Sequence, residues 1–215
     1  MTDTMTKAMC EDYGTSACHI ETDEIGETVC MCDNARRARG TIKDSGNRTK
    51  FATGAVRDIQ QGKGRFDLMP LDIMSKAFGI KSAYELEEIS IADVLGDVAD
   101  FQRTGNEGWL CIAIAHYSQA VHVSLPTLML DVAKHFENGA LKYGEHNWEK
   151  GIPISRYIDS ALRHLMKDCA CETDEDHAAA FVWNCMCAAW TMEHLPAMDD
   201  YTLARKTCVA NKIDV

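Results

Sequence analysis

LPTLMLDVAKHFENGALKYG, residues 125–144, sets Leu125, Leu128, Met129, Val132, Phe136, Ala140 and Tyr143 at the spacings of one helix face. A helix with 3.6 residues per turn brings such positions to one side, whereas a half-buried strand needs every second residue. The stretch carries its own stop, because Gly144 follows Tyr143 directly and glycine adopts the positive φ of a helix end most easily. Downstream, Pro153 opens the next helix, with Ile154, Tyr157, Ile158, Ala161, Leu162, Leu165 and Met166 as its buried stripe. Thr173, followed three residues later by Asp176, forms a variant capping box that starts a last helix running to about His194. Upstream, Ile91, Val94, Leu95, Val98 and Phe101 mark another helix face, and the apolar run Trp109–Tyr117 reads as helix from its surroundings. The 4 prolines leave these periods unbroken, and no convincing alternating strand follows Phe51. The expectation is an all-α fold, a compact helical bundle over 50–215.

Residues 1–49 are different. Tyr13, Ile20, Ile25, Val29 and Ile42 are scattered with neither helical nor strand period, and eight acids face the single base Lys7 between Met1 and Asn34. Such a segment buries too little apolar surface to offset its ordering entropy, so it reads as an acidic, cysteine-containing, disordered tail. A sharper alternative is a zinc ion gathered by Cys10, Cys18, His19, Cys30 and Cys32, although their spacing is not that of paired C-x2-C knuckles.

The whole chain of 215 residues carries 33 acidic against 22 basic side chains, a formal net charge of −11. That balance disfavours stable binding to DNA, RNA or an anionic membrane surface. The longest nearly apolar stretch, Ala178–Trp190, is too short to span a bilayer and is interrupted by Asn184. The N-terminal residues lack the basic and apolar regions of a secretory signal, so a reducing cytoplasm and free thiols are expected for the 10 cysteines.

Three constellations carry chemistry. Glu137 has Leu130, Ala133, Ala140 and Leu141 as its helical neighbours, so its carboxylate emerges from an apolar flank, where charge requires a partner. Arg163 of the next helix is one such partner and a metal ion another. Glu172-Thr173-Asp174-Glu175-Asp176-His177 precedes the most apolar helix; these acids complement a helix dipole or, with carboxylates of a facing helix, hold a divalent ion such as Mg²⁺. His177 and Asn184 share a face, and Asn184 is the lone polar side chain of its stretch, facing either an interhelical hydrogen bond or a ligand. The third is Gly62-Lys63-Gly64-Arg65-Phe66-Asp67 together with the loop 142–151, where glycine beside basic residues lets backbone approach phosphate. There Asn147 and Trp148 are placed to hydrogen-bond and stack on a base, although a lone loop tryptophan equally serves as a packing anchor.

FATGAVRD (51–58), GKGRFDLMP (62–70), HFENGALKYGEHNWEKGIPISRYIDSALRHLMK (135–167) and ETDEDHAAAFVWN (172–184) together resemble the phage-type dATP/dGTP diphosphohydrolase domain, a branch of the MazG-like all-α nucleotide pyrophosphohydrolases. The likeness covers about 51–72 and 125–195, leaving 73–124 as a helical insertion, either an enlarged connection or an extra helical hairpin. The usual E-E-x-x-E and E-x-x-D pattern is absent as such, and Ala180 stands where many relatives carry a second histidine of the last helix. The resemblance implies hydrolysis of a purine deoxynucleoside triphosphate to monophosphate and pyrophosphate with Mg²⁺, or Mn²⁺ in its place. It implies a homodimer or homotetramer in the cytoplasm, the host's if the chain is phage-encoded. Carried over residue by residue, it makes Glu137, Glu172, Glu175 and Asp176 metal candidates. Glu137, Asp176 and His177 become catalytic candidates. Lys142, Tyr143, Asn147, Trp148, Arg163, His164 and Asn184 line the substrate pocket, and Lys63, Arg65 and Asp67 contact phosphate or form a lid. The rival on the same fold is a non-catalytic protein that retains nucleotide.

Overall fold

The computed structural model describes residues 20–22, 28–30, 46–83 and 88–201. It divides into two compact units, Met1–Ile59 and Gln60–Val215. Most of 1–49, with Cys10, Cys18, His19 and Cys32, lies outside the described residues, and the expectations of a flexible tail and a tail zinc site lie there with it.

Within the first unit, β1 (Ile20–Thr22) pairs antiparallel with β2 (Thr28–Cys30), and β3 (Arg48–Lys50) with β4 (Val56–Asp58). The second hairpin closes through Phe51 and Ala55, with Gly54 at φ +86°. It corrects the expectation that no strand follows Phe51, and it runs across the boundary drawn after residue 49. Strands of three residues are shorter than the alternation needed to reveal them in a sequence.

The second unit is helical, as its periodicity predicts. Its helices are α1 (Leu71–Ala83), α2 (Ile91–Thr104), α3 (Gly108–Ala120), α4 (Leu125–Tyr143), α5 (Ile154–Cys169) and α6 (His177–His194). Two single 3₁₀ turns, Phe66–Leu68 and Asn147–Lys150, flank them near the cavity described below. α4 begins where the Ser124 hydroxyl accepts from Thr127 N–H, and it ends at Gly144, φ +91°, whose N–H reaches Ala140 O at 2.9 Å. α5 starts one residue after Pro153 and buries Ile154, Tyr157, Ile158, Ala161 and Leu165; Met166, expected in that stripe, is exposed. The insertion 73–124 is no appended hairpin. Ile73, Val98, Phe101, Leu110, Ile114 and Tyr117 of α1–α3 are fully buried in the common core.

α6 is the central element. Ala179–Val182 and Asn184–Ala189 are buried without interruption, so this helix has almost no solvent face. A helix apolar all round is stable only when surrounded, and α5 packs along one flank with α3 and α4 on others. Its start differs from expectation. The capping box at Thr173 does not form; Asp176 is the cap, its Oδ1 accepting from Ala179 N–H at 2.9 Å, and the acids 172–175 lie ahead of the helix. No helix among the described residues is long and apolar enough to cross a membrane.

Cys111, Cys185 and Cys187 are buried free thiols, whereas Cys169 and Cys171 are exposed. Burial pushes the Cys111 thiol up to about 11, and it raises Cys185 and Cys187 as well. Alkylation of the native protein near pH 8, read by peptide mass spectrometry, is therefore expected to mark Cys169 and Cys171 and to reach the three buried thiols only after denaturation. Native labelling of Cys185 as fast as Cys169 would contradict the buried position of α6.

Candidate functional site

Glu137 lies on the buried side of α4, as its apolar neighbours predict, but its partner is neither Arg163 nor an acidic cluster. Its Oε1 accepts from Gly62 N–H at 2.7 Å and its Oε2 from Gly64 N–H at 2.8 Å. Two backbone donors converging on one anion form the concavity expected of a glycine-rich phosphate loop, and here a carboxylate of the chain's own helix fills it. Arg65 N–H continues the attachment by donating to Ala133 O at 2.9 Å. Glycine is required at position 64: φ is +81°, and an added Cβ would stand 2.9 Å from the Ala133 Cβ. Arg65 is equally committed, its guanidinium forking onto Asp67 and reaching Glu145 Oε1 at 2.7 Å. Both acids raise the Arg65 pKa, and Arg65 holds the Asp67 carboxyl below its ordinary value. Arg163 pairs with Asp159 one turn away on α5. The expected phosphate loop is thus a strap hydrogen-bonded to α4.

A cavity of about 410 Å³ opens between α4, α5, α6 and the 147–150 turn. Its size falls in the range of small-molecule sites. Of the sequence candidates, Tyr143, Asn147, Trp148, His164, Glu175 and Asn184 line it; Lys63, Arg65, Asp67, Glu137, Lys142, Arg163, Glu172, Asp176 and His177 are outside its wall. Lys142 is exposed, with Nζ 5.0 Å from the centre of the Tyr143 ring. Trp148 is only 6% exposed and is held edge-on by Phe136 and Trp190, with ring centres 5.8 and 4.9 Å away. It is a packing anchor whose edge forms part of the wall, not a free stacking platform. The indole N–H groups of Trp148 and Trp183 are buried with no hydrogen-bond partner among the described residues.

Asn184 makes no interhelical hydrogen bond among the described residues. Its Nδ2 donates to Ala180 O one turn back at 2.8 Å, which fixes the amide and leaves Oδ1 as an acceptor at the cavity. His135, Ser160 and Trp183 also line the cavity, and sequence reasoning missed all three. Ser160 lies four residues before His164 and shares its face, a spacing that could have found it. Trp183 is hidden in an apolar run. Burial lowers the His135 pKa below the ordinary 6.5, and that imidazole makes no hydrogen bond to a described residue.

His164 of α5 and His177 at the start of α6 meet at the edge of this cavity, their Nδ1 atoms 3.1 Å apart. Glu175 Oε1 stands 3.4 Å from the first and 3.8 Å from the second. His177 Nε2 faces Asp174 Oδ1 at 2.8 Å, and Lys167 Nζ bridges Asp174 and Glu172 at 2.9 and 3.1 Å. Lys167 first, then His177, hold the Asp174 carboxyl down at about 2. Burial lowers the His164 pKa, against the opposing pull of Glu175. Of the four metal candidates, only Glu175 belongs to the set His164–Glu175–His177; Glu172 joins Asp174 on the far side of His177, and Glu137 and Asp176 belong to no such group among the described residues.

Residues 116–201 match the family described as dATP/dGTP diphosphohydrolase, N-terminal. The family resemblance of the sequence is therefore supported over a segment that contains α4–α6 and nearly the whole cavity wall. No curated protein and no solved structure matches the chain.

Glu137→Gln keeps one acceptor and turns an NH₂ group toward the other glycine N–H. It is expected to lower stability by about 1–3 kcal/mol, the cost of a buried unsatisfied donor, and to open the 62–65 segment to limited proteolysis. Unchanged urea midpoint and unchanged cleavage at this strap would contradict the anchoring role.

Proposed function

We propose that the chain hydrolyses a purine deoxynucleoside triphosphate, dATP or dGTP, to the monophosphate and pyrophosphate, as its likeness to the MazG-like pyrophosphohydrolases implies. The observation that carries this reading is the cavity itself. The aromatic side chains of Tyr143 and Trp183 and an amide acceptor suit a purine and its sugar, the volume suits one nucleoside, and a cluster of ligating side chains stands at one edge. Lys142, exposed beside the cavity-lining Tyr143, steadies the phosphates in this scheme.

Mg²⁺ held by carboxylates of two facing helices is what the resemblance implies, and the residues do not fit it. Both Glu137 oxygens accept backbone N–H groups, Glu172 is paired with Lys167, and Asp176 caps α6. Only Glu175 is left at the cavity, beside two imidazoles, whereas Mg²⁺ prefers an octahedron of oxygens. No step is therefore assigned to Mg²⁺. What the chain's own residues do is enclose the base, orient it through Asn184 Oδ1, and accept a proton. His135, neutral at pH 7 through burial and without a hydrogen-bonding neighbour among the described residues, is the acceptor for the attacking water's proton.

A screen of all dNTPs and NTPs with added Mg²⁺ or Mn²⁺, scored by pyrophosphate release, tests the reading. Turnover of dATP or dGTP to monophosphate supports it; stoichiometric nucleotide retention without product would make the chain a nucleotide-binding protein instead. His135→Gln is expected to lower turnover by about 10²–10⁴-fold with the fold intact, the usual contribution of a general base. Because the base must be neutral and burial depresses its pKa, wild-type activity should fall only as pH drops below 6.5, and this acid limb should vanish in His135→Gln.

Asn184→Leu removes a hydrogen bond to a carbonyl of its own helix and orphans no group on another element. Its melting temperature should stay near wild type while nucleotide KM rises; a large loss of stability with unchanged KM would contradict a ligand-facing Oδ1.

A further inference from the structure

We infer that His164 Nδ1, His177 Nδ1 and Glu175 Oε1 form a binding site for one first-row transition-metal ion, of the Mn²⁺, Co²⁺ or Zn²⁺ class. The three atoms form a triangle with edges of 3.1, 3.4 and 3.8 Å. A point equidistant from the corners of such a triangle lies about 2.0 Å from each, the bond length these ions make to imidazole nitrogen and carboxylate oxygen. The ligand atoms already stand where an ion would hold them, on three different parts of the chain: the body of α5, the segment before α6, and the first residue of α6. Two imidazoles and one carboxylate favour borderline ions over Mg²⁺, and three protein ligands leave positions open for water or a phosphate oxygen.

The surroundings complete the set. A ligating histidine normally donates its second ring N–H to a carboxylate, which fixes the tautomer that exposes the other nitrogen's lone pair. Asp174 Oδ1, 2.8 Å from His177 Nε2, is placed to do this, and Lys167 holds Asp174 in position. With the His177 proton on Nε2, the 3.1 Å contact needs a proton on His164 Nδ1, since two lone pairs would repel. An ion entering the triangle takes the place of that proton, which moves to His164 Nε2, so both nitrogens coordinate as neutral imidazoles and no proton is lost.

Other groupings are weaker. Glu172, Asp174 and His177 also converge, but Lys167 already occupies both carboxylates. Asp72, Glu193 and His194 are all exposed.

The catalytic meaning of the site rests on the nucleotide reading above; binding of the ion does not, and the test keeps them apart. The full chain is stripped with chelator and titrated with Co²⁺ alone, followed by visible absorption and by metal content after gel filtration. The expected result is one tightly bound Co²⁺ per chain with d–d bands of a nitrogen–oxygen site, without the intense near-ultraviolet bands that cysteine sulfur would add. Glu175→Gln and His164→Gln, both at positions where the side chain is not fully enclosed, should each weaken this ion by about 100-fold or more. Asp174→Asn should weaken it by about 10-fold through loss of the supporting carboxylate. Asp72→Asn should leave it unchanged. Native circular dichroism of each variant keeps loss of binding separate from loss of fold. The inference is overturned if Co²⁺ binds with sulfur-type spectra only, if the Glu175 and His164 variants bind it as tightly as wild type, or if equimolar Mg²⁺ displaces it. Co²⁺ bound with this ligand dependence by a chain that hydrolyses no nucleotide would uphold the metal site and defeat the nucleotide reading. Hydrolysis with Mg²⁺ by variants that have lost no metal affinity would do the reverse.

Discussion

The hydrogen bond from Ala179 N–H to the Asp176 carboxylate, 2.9 Å long, fixes where α6 begins, and much of the candidate site depends on that start. An N-cap carboxylate satisfies an amide that has no partner within the helix and meets the positive end of the helix dipole. With the cap at Asp176, His177 is the first helical residue and is carried into the interior against α5, while Glu175 stays outside the helix. Had the helix begun at Thr173, Glu175 and His177 would be two positions apart on one helix and would diverge. The cap turns a run of acids that looks like a dipole complement into a segment where one carboxylate leans over two imidazoles. The almost complete burial of α6 then makes this arrangement rigid, because few side chains between Ala179 and Ala189 have room to move.

Glu137 shows how the same chemistry serves a different end. A carboxylate on an apolar helix face must be compensated, and an arginine or a metal ion is the obvious means. The chain uses two glycine amides instead, each a donor that would itself need a partner if buried. The arrangement ties the 62–65 strap to the middle of α4 and brings the following turn, with buried Leu68, against the cavity. Glu137 thereby supports the wall of the cavity without entering it. The glycine pattern that resembles a phosphate cradle is real as a cradle; its anion is internal.

Most of the helical fold was legible because periodicity reports burial directly. α2, α4 and α5 lie where their apolar spacing puts them, and Gly144 ends α4 as a glycine end should. The hairpin across residue 50 was not legible, since three-residue strands show no period. The start of α6 was misplaced because Thr173 and Asp176 satisfy the spacing of a capping box, and spacing does not say which of two carboxylate or hydroxyl groups wins the cap. Of the residues that line the cavity, Tyr143 and His164 are named by the family resemblance alone, whereas Asn147 and Trp148 are also legible in the 142–151 loop, Glu175 in the acidic run before α6, and Asn184 in its isolation within an apolar run. His135 and Trp183 were not, because a histidine or tryptophan in an apolar helix carries no sign of which neighbour it faces. The partners of Glu137 and Arg163 were beyond reach for the same reason: sequence gives the need for compensation, and only the fold names the group that supplies it.

The central claim is that purine recognition and metal binding meet in one place, between α4, α5 and the start of α6. An anomalous-difference map from crystals grown with Co²⁺ and a non-hydrolysable α,β-methylene analogue of dATP or dGTP tests it most directly. The expected map has one cobalt peak bounded by His164 Nδ1, His177 Nδ1 and Glu175, with the purine against Tyr143 and Trp183 and the phosphates turned toward the ion. A cobalt peak on Glu137, or a nucleotide bound with its base outside the cavity, would contradict it.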